Sequence, residues 1–168
     1  MSEEIRTARL RLRPVALEDL DDYIALYADP EVVRFIGEGM PATRGQSLEW
    51  LERTMARNAL EGWDLRTVRL HDGTFLGRCG IAIHEIDGRP EPEVGYALAR
   101  EHWGMGYATE AAIAMRDHAI GTLGHRRLAS PIWHGNESSA RVAEKLGMRY
   151  ERDADFRGRR VRLFSMEV

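Results

Sequence analysis

Cysteine is nearly absent from this 168-residue chain: Cys79 stands alone. One cysteine excludes an internal disulfide framework and any multi-cysteine metal site. Lysine is equally scarce, with Lys145 the single lysine among 24 Lys and Arg residues. The formal net charge is −3, so no global positive field points to nucleic acid. No apolar run approaches the ~20 residues that cross a bilayer as a helix. The Met1-Ser2-Glu3-Glu4 start is acidic and lacks the basic and apolar regions of a signal peptide. No Gly-Lys-Ser/Thr occurs, which removes a P-loop. The six histidines are scattered without metal-ligand spacing, so no metal site is expected. These absences leave a cytoplasmic enzyme or binding domain, and the length suits one domain over residues 1–168.

What is present reads as alternating strands and helices. Thr7 to Val15 alternates, with Leu10 and Leu12 against Arg9, Arg11 and Arg13, and predicts a half-buried strand. Leu17, Leu20, Ile24 and Tyr27 recur at helical spacing until Asp29-Pro30, and Glu31 to Ile36 adds a short helical turn. Thr43 and Gln46 have capping-box spacing ahead of a helix through Leu48, Leu51 and Met55. His71-Asp72-Gly73 joins strands Trp63–Leu70 and Thr74–Ile86 as a hairpin, and Asp87 to Pro92 reads as a loop. Strand Glu93–Ala99 precedes two glycines and a helix from Ala108 with a small-residue stripe, Ala111, Ala112, Met115 and Ala119. Strand Arg127–Trp133, a helix from Asn136 to Leu146 ended by Gly147, and a final hairpin follow. The order is β-α-α-β-β-β-α-β-α-β-β, an α/β (α+β) arrangement with one mixed, mostly antiparallel sheet of about seven strands and helices on both faces.

The stretch Trp103-Gly104-Met105-Gly106-Tyr107-Ala108-Thr109-Glu110 is the chemical centre of the sequence. A glycine turn that opens a helix presents unpaired N–H groups and the positive end of the helix dipole to one point, which suits a phosphate or pyrophosphate. The same glycines also serve a plain strand-to-helix turn. A Rossmann reading fails, because the third glycine and the early βαβ position are missing.

Three blocks in this order resemble the GCN5-related N-acetyltransferases, and among them the RimJ/RimL type, the ribosomal-protein alanine acetyltransferases. They are Thr7 to Pro14 with Glu18-Asp19, Glu93 to Tyr96 running into Trp103 to Ala111, and Asn136 to Val142 running into Glu144 to Met148. The superfamily's Gln or Arg ahead of the glycines is replaced here by Trp103, an aromatic common in the RimJ/RimL-like branch. Many members carry a tyrosine acid on the last long helix, and Ala143 stands at that position.

The resemblance implies a bacterial N-acetyltransferase using acetyl-CoA, a primary amine as acceptor and no metal. The amine belongs either to a protein N-terminus or to a small molecule. A non-catalytic acyl-CoA-binding module is the alternative, and a homodimer is common in the family. The resemblance also implies that the strand ending at Leu98 and the next strand splay apart. Pantetheine then pairs with backbone at Tyr96, Ala97 and Leu98, where an N–H stabilises the oxyanion. The turn Trp103, Gly104, Met105, Gly106, Tyr107, Ala108 and Thr109 takes the pyrophosphate.

An amine attacks only when neutral, so a base is useful. Glu93 is the first candidate and also reads as a solvated strand-start carboxylate; His84 and Glu85 are lesser ones. Ser139 serves as general acid or as a hydrogen bond to the sulfur, or simply caps its helix and touches pantetheine. Asn136 reads as a helix N-cap alone or as an N-cap that also bonds the pantetheine amide, and the resemblance implies both together. Arg141 and Lys145 face the adenosine 3′-phosphate, or are solvated helix charges. Cys79 sits on an apolar face and reads as inert core, so transfer is expected to be direct. The acceptor cleft is expected between Val32–Gln46, with Glu38, and the last hairpin, with Arg157, Arg159, Arg160 and Arg162.

Overall fold

A computed structural model describes residues 3–168. Its strands are β1 (Ile5–Arg6), β2 (Leu10–Pro14), β3 (Asp64–Leu70), β4 (Phe75–Ile86), β5 (Arg89–Leu98), β6 (Arg127–Trp133), β7 (Arg149–Phe156) and β8 (Arg159–Glu167). Its α-helices are α1 (Leu20–Ala28), α2 (Pro30–Val33), α3 (Arg44–Leu60), α4 (Tyr107–Gly121) and α5 (Glu137–Lys145). The strands form one sheet of eight in the order β1-β2-β3-β4-β5-β6-β8-β7. Every pair is antiparallel except β5 with β6. The strand beyond the seven expected is β1, whose two residues pair with Leu12 and Arg11.

The core follows the residue patterns. Leu10 and Leu12 are fully buried beside Leu76, Cys79 and Ile81, and the small stripe of α4 lies flat on this face. Ala111, Ala112, Met115 and Ala119 expose nothing. Short side chains let the helix backbone approach the sheet, so α4 and its N-terminal turn are held against β4 and β5. A second cluster joins α1 and α3, with Tyr23 and Tyr27 each 5.0 Å from the Trp50 ring. The capping box forms as expected: Thr43 Oγ1 accepts from the Gln46 N–H, and Gln46 Oε1 accepts from the Thr43 N–H.

One segment differs from its sequence reading. Asp87 to Pro92 is not a loop, because β5 begins at Arg89 and pairs with β4 from Ile86 onward. Proline normally breaks a ladder for want of an N–H. Here Pro90 and Pro92 share a backbone direction with Val94, whose carbonyl faces β6 and accepts from Ser130 Oγ at 2.9 Å. The missing N–H groups therefore point away from β4, and the β4 ladder continues through the alternate residues.

That alternation also sets the strand's open edge. β5 and β6 are in register only at Glu93 and Ala129. Beyond that point the two strands part, and the main-chain groups of Tyr96 and Leu98 face the gap by the same period of two.

Candidate active site

Glu93 stands where β5 and β6 separate. Gly95 makes room for it: a Cβ there would lie 3.1 Å from Glu93 Oε1 and 3.9 Å from Arg78 Nη1. The carboxylate thus folds back over bare backbone and comes near a guanidinium. Glu93 pairs with Ala82 across β4, which puts His84 diagonally opposite on the same face. His84 Nε2 lies 2.9 Å from Glu93 Oε2, and the imidazole packs edge-on between Trp63 and Phe156 at ring distances of 5.0 and 5.1 Å. On the far side, Arg157 Nη2 is 3.4 Å from His84 Nδ1.

The cavity around this pair has a volume of about 330 Å³ and includes Glu93, Tyr96, Asn136 and Ser139. Tyr96 reaches across the gap, and its hydroxyl donates to the Ser139 carbonyl at 2.8 Å. Burial drives its phenol above the ordinary tyrosine range. The side chain therefore ties β5 to the start of α5 as a neutral hydrogen-bond donor, a role added to the backbone one expected for it. Asn136 caps α5, accepting from the Ser139 N–H at 3.4 Å and from Ser138 Oγ at 3.3 Å. Its side-chain amide nitrogen and the Ser139 hydroxyl remain available to the cavity.

The backbone of the three-residue edge is not uniform. Tyr96 directs its N–H and C=O into the gap. Ala97 points its polar groups the other way, into the ladder opposite Arg78. The Leu98 carbonyl is already engaged, by Trp103 Nε1 at 2.8 Å.

Past that indole the chain makes its glycine turn. Gly104 and Gly106 have φ of +75° and +81°, a region that side-chain-bearing residues avoid. Gly106 is the N-cap of α4, and the first intrahelical bond is Glu110 N–H to Gly106 O at 3.0 Å. The N–H groups of Tyr107, Ala108 and Thr109 precede that bond and are free of helix partners. Arg9 braces the turn from the bend just before β2: Nη1 donates to the Met105 carbonyl at 2.9 Å, Nε meets Glu110 at 2.6 Å, and the guanidinium lies 4.4 Å over the Tyr107 ring. Gly106 and Thr109 line a second groove, together with Lys145. Arg141 lies one helical turn before Lys145, on the exposed face of α5.

The family model for the acetyltransferase (GNAT) domain matches residues 9–149. The chain belongs to the GNAT acetyltransferases. Among curated relatives, the YkkB protein of Bacillus subtilis is 38% identical over 152 residues, covering 87% of this chain and 85% of that protein. The N-acetyltransferase p20 of Bacillus licheniformis is 30% identical over 152 residues, covering 89% and 84%. A crystal structure of an Agrobacterium tumefaciens acetyltransferase superposes with a TM-score of 0.85 at 29% identity, over 100% of this chain and 96% of that one. RimL, the ribosomal L7/L12 α-N-protein acetyltransferase solved with coenzyme A, has a TM-score of 0.83 over 99% and 98%; at 15% identity that likeness concerns the fold. This GNAT chain is accordingly an acetyltransferase, and the family takes its acetyl group from acetyl-CoA.

Several parts of the GNAT site were not read from the sequence. Arg53 and Arg57 of α3 and Arg78 of β4 line the cavity, whereas the expected acceptor cleft held arginines of the last hairpin alone. Of those, Arg157 lines the cavity. Arg159 instead stacks on Trp133 at 3.6 Å, Arg160 lies nearest Asp153 and Asp155, and Arg162 meets Glu137. Glu38 is exposed and lines neither cavity nor groove, although Phe35, Ile36 and Gly37 beside it do line the cavity. The i, i+4 spacing of Arg53 with Glu49 and of Arg57 with Glu61 reads in sequence as a solvated helix face. Ala143 is fully buried in the core and supplies no acid. Cys79 is also fully buried, and desolvation pushes its thiol up to about 12, so the sulfur is a packing group.

Proposed function

We propose that this GNAT chain, a single RimJ/RimL-like domain, acetylates a primary amine by direct attack on acetyl-CoA in a ternary complex. The observation that carries this is the shared location of the Glu93 carboxylate and the free backbone edge of Tyr96, at the mouth of the gap between β5 and β6. In this reading the pantetheine arm runs along that edge. The Tyr96 N–H polarises the thioester carbonyl, with the Leu98 N–H next along; Ala97 lies between them with its polar groups in the β4 ladder. The Asn136 amide bonds the arm from the other side.

The acceptor enters as an ammonium beside Glu93, which takes its proton directly or through one water; His84 fixes the carboxylate in place. The neutral nitrogen forms the N–C bond, and negative charge gathers on the carbonyl oxygen opposite the Tyr96 N–H. When the C–S bond breaks, the leaving thiolate takes a proton by way of the Ser139 hydroxyl, and the nitrogen sheds its second proton. A thiol with a pKa near 8.5 needs only modest help to leave. The turn Trp103–Thr109 supports the pyrophosphate: Gly104 and Gly106 shape it, and the N–H groups of Tyr107, Ala108 and Thr109 converge on the anion. Met105 and the Thr109 hydroxyl stand at its rim. Lys145, with Arg141 one turn away, meets the 3′-phosphate. In the same reading the protein works in the cytoplasm and pairs as a homodimer.

A thiol-release assay with acetyl-CoA and an amine panel tests the proposal. Turnover with at least one amine is expected. Tight acetyl-CoA binding without release of thiol for any amine would leave only a binding module.

A further inference from the structure

Four arginines converge on the cavity that holds Glu93. Arg78 comes from β4, Arg53 and Arg57 from α3, and Arg157 from the tip between β7 and β8. This happens in a chain whose formal charge is −3. Inside the cavity the one carboxylate is Glu93, a single negative charge against four guanidiniums, and it lies 2.9 Å from His84 Nε2. Arg78 Nε donates to the Tyr27 hydroxyl at 2.6 Å, and Arg157 makes its contact with the His84 ring. Neither forms an ion pair among the described residues. Arg53 and Arg57 meet Glu49 and Glu61 only at 3.9 and 3.6 Å, outside the cavity. The residue Arg157 is exposed at its turn, yet its charged end is crowded. Burial of the guanidinium comes first, and Arg57, Arg53 and Arg78 add repulsion that Glu93 alone opposes, so its pKa falls below the ordinary arginine range. A positive cluster of this kind lacks a counter-charge that a ligand supplies.

The donor's phosphates are not that ligand. Gly106 and Thr109 of the glycine turn line the second groove with Lys145, that groove shares no lining residue with this cavity, and no residue of the turn lines the cavity. Geometry then divides the cavity. Glu93 suits an ammonium, and Arg157 stands one imidazole width beyond it. Trp50, Trp63 and Trp133 supply apolar walls. The volume of about 330 Å³ must also admit the acetyl end of the donor, which leaves room for a compact molecule.

We infer that the acceptor is a small-molecule primary amine bearing a carboxylate or phosphate, its amine at Glu93 and its anionic group held by Arg157, Arg53, Arg57 and Arg78. Guanidinium forks match both anions by paired hydrogen bonds. The exposed arginines at the rim also draw an anion inward. This inference rests on the proposed transferase reading of the cavity.

The test compares matched amines: β-alanine and O-phosphoethanolamine against propylamine and ethanolamine, with an Asp-initiated tripeptide as a further acceptor. Thiol release is followed in the wild-type chain and in Arg157→Gln, Arg53→Gln and Arg157→Lys. Acetyl-CoA Kd serves as the control for folding. One anionic class is expected to exceed its neutral partner in kcat/KM by about 10- to 100-fold, mostly through KM. The better anion identifies carboxylate or phosphate. In both Gln variants that ratio collapses toward one, and Arg157→Lys keeps part of it. Equal or better use of the neutral amines overturns the inference, as does a preference for the tripeptide over both anionic small molecules. A separate readout uses the tryptophans that line the cavity. Saturable, Arg157-dependent quenching by an anionic amine without any turnover supports the anion site while sinking the transferase reading. Neither quenching nor turnover overturns both.

Discussion

Replacing Gly106 with valine tests the anion turn through its backbone. At φ +81° a β-branched residue carries strain of about 1–3 kcal/mol. The new Cβ would also meet Arg9 Nη2 at 3.3 Å, so the guanidinium must shift. Loosening its bond to the Met105 carbonyl costs about 0.5–1.5 kcal/mol more. In the free protein the turn relaxes some of this strain. Binding an anion on the N–H groups of Tyr107 to Thr109 demands the original shape and restores the strain. A cost of about 2–3 kcal/mol corresponds to roughly a 30- to 160-fold rise in acetyl-CoA Kd, the same for every amine. Gly104→Ala makes the control: φ is similar at +75°, but nothing lies within 4 Å of its Cβ. Its strain of about 1 kcal/mol predicts about a fivefold rise. Isothermal titration with acetyl-CoA reads both values, and thermal melting checks folding. Unchanged donor affinity in Gly106→Val, with a lowered melting temperature, would refute the reasoning and reduce the turn to a structural joint.

Two other perturbations follow from the structure. Cys79→Ala should keep thiol release within about twofold of wild type and lower stability by about 1 kcal/mol, since a buried packing atom is lost; mass spectrometry that found an acetyl-Cys79 intermediate on the reaction path would contradict direct transfer. Glu110 is pulled in both directions, burial raising its pKa and hydrogen bonds from Thr7 and Arg9 lowering it, and it ends below its ordinary 4.5. A depressed carboxylate contributes stability above its unfolded value and loses it as pH falls through the folded one. The melting-temperature gap between wild type and Glu110→Gln should thus be full at pH 7 and shrink below about pH 4.5; a gap that stays constant with pH means that the carboxylate charge contributes nothing.

Local chemistry was the legible part of this chain. The capping box at Thr43 and Gln46, the His71-Asp72-Gly73 turn, the Asn136 cap and the small stripe of α4 each depend on residues a few positions apart, and each forms. Pro90 and Pro92 misled because a proline forbids a strand only when its nitrogen faces a partner, and strand direction is set by the whole sheet. The arginines of the cavity were hidden for a related reason. Arg53 and Arg57 have ordinary helix-surface spacing, and only the packing of α3 over the Trp63 end of β3 turns them toward Glu93. His84 with Glu93 and Tyr96 with Ser139 are likewise pairs that the fold assembles, across a strand pair in one case and across 43 positions in the other. Glu93 and Ser139 entered through family resemblance, and both line one cavity.

In the mechanism proposed above, Glu93 takes the proton of the attacking amine, and its loss as a base is the most direct test. Glu93→Gln keeps the size of the side chain and its contact with His84 while removing the base. With saturating acetyl-CoA and the best amine of the panel, kcat for thiol release should fall by about 10²–10⁴, with acetyl-CoA Kd unchanged and partial recovery at higher pH, where more of the amine is already neutral. A kcat within about threefold of wild type at neutral pH would contradict the claim.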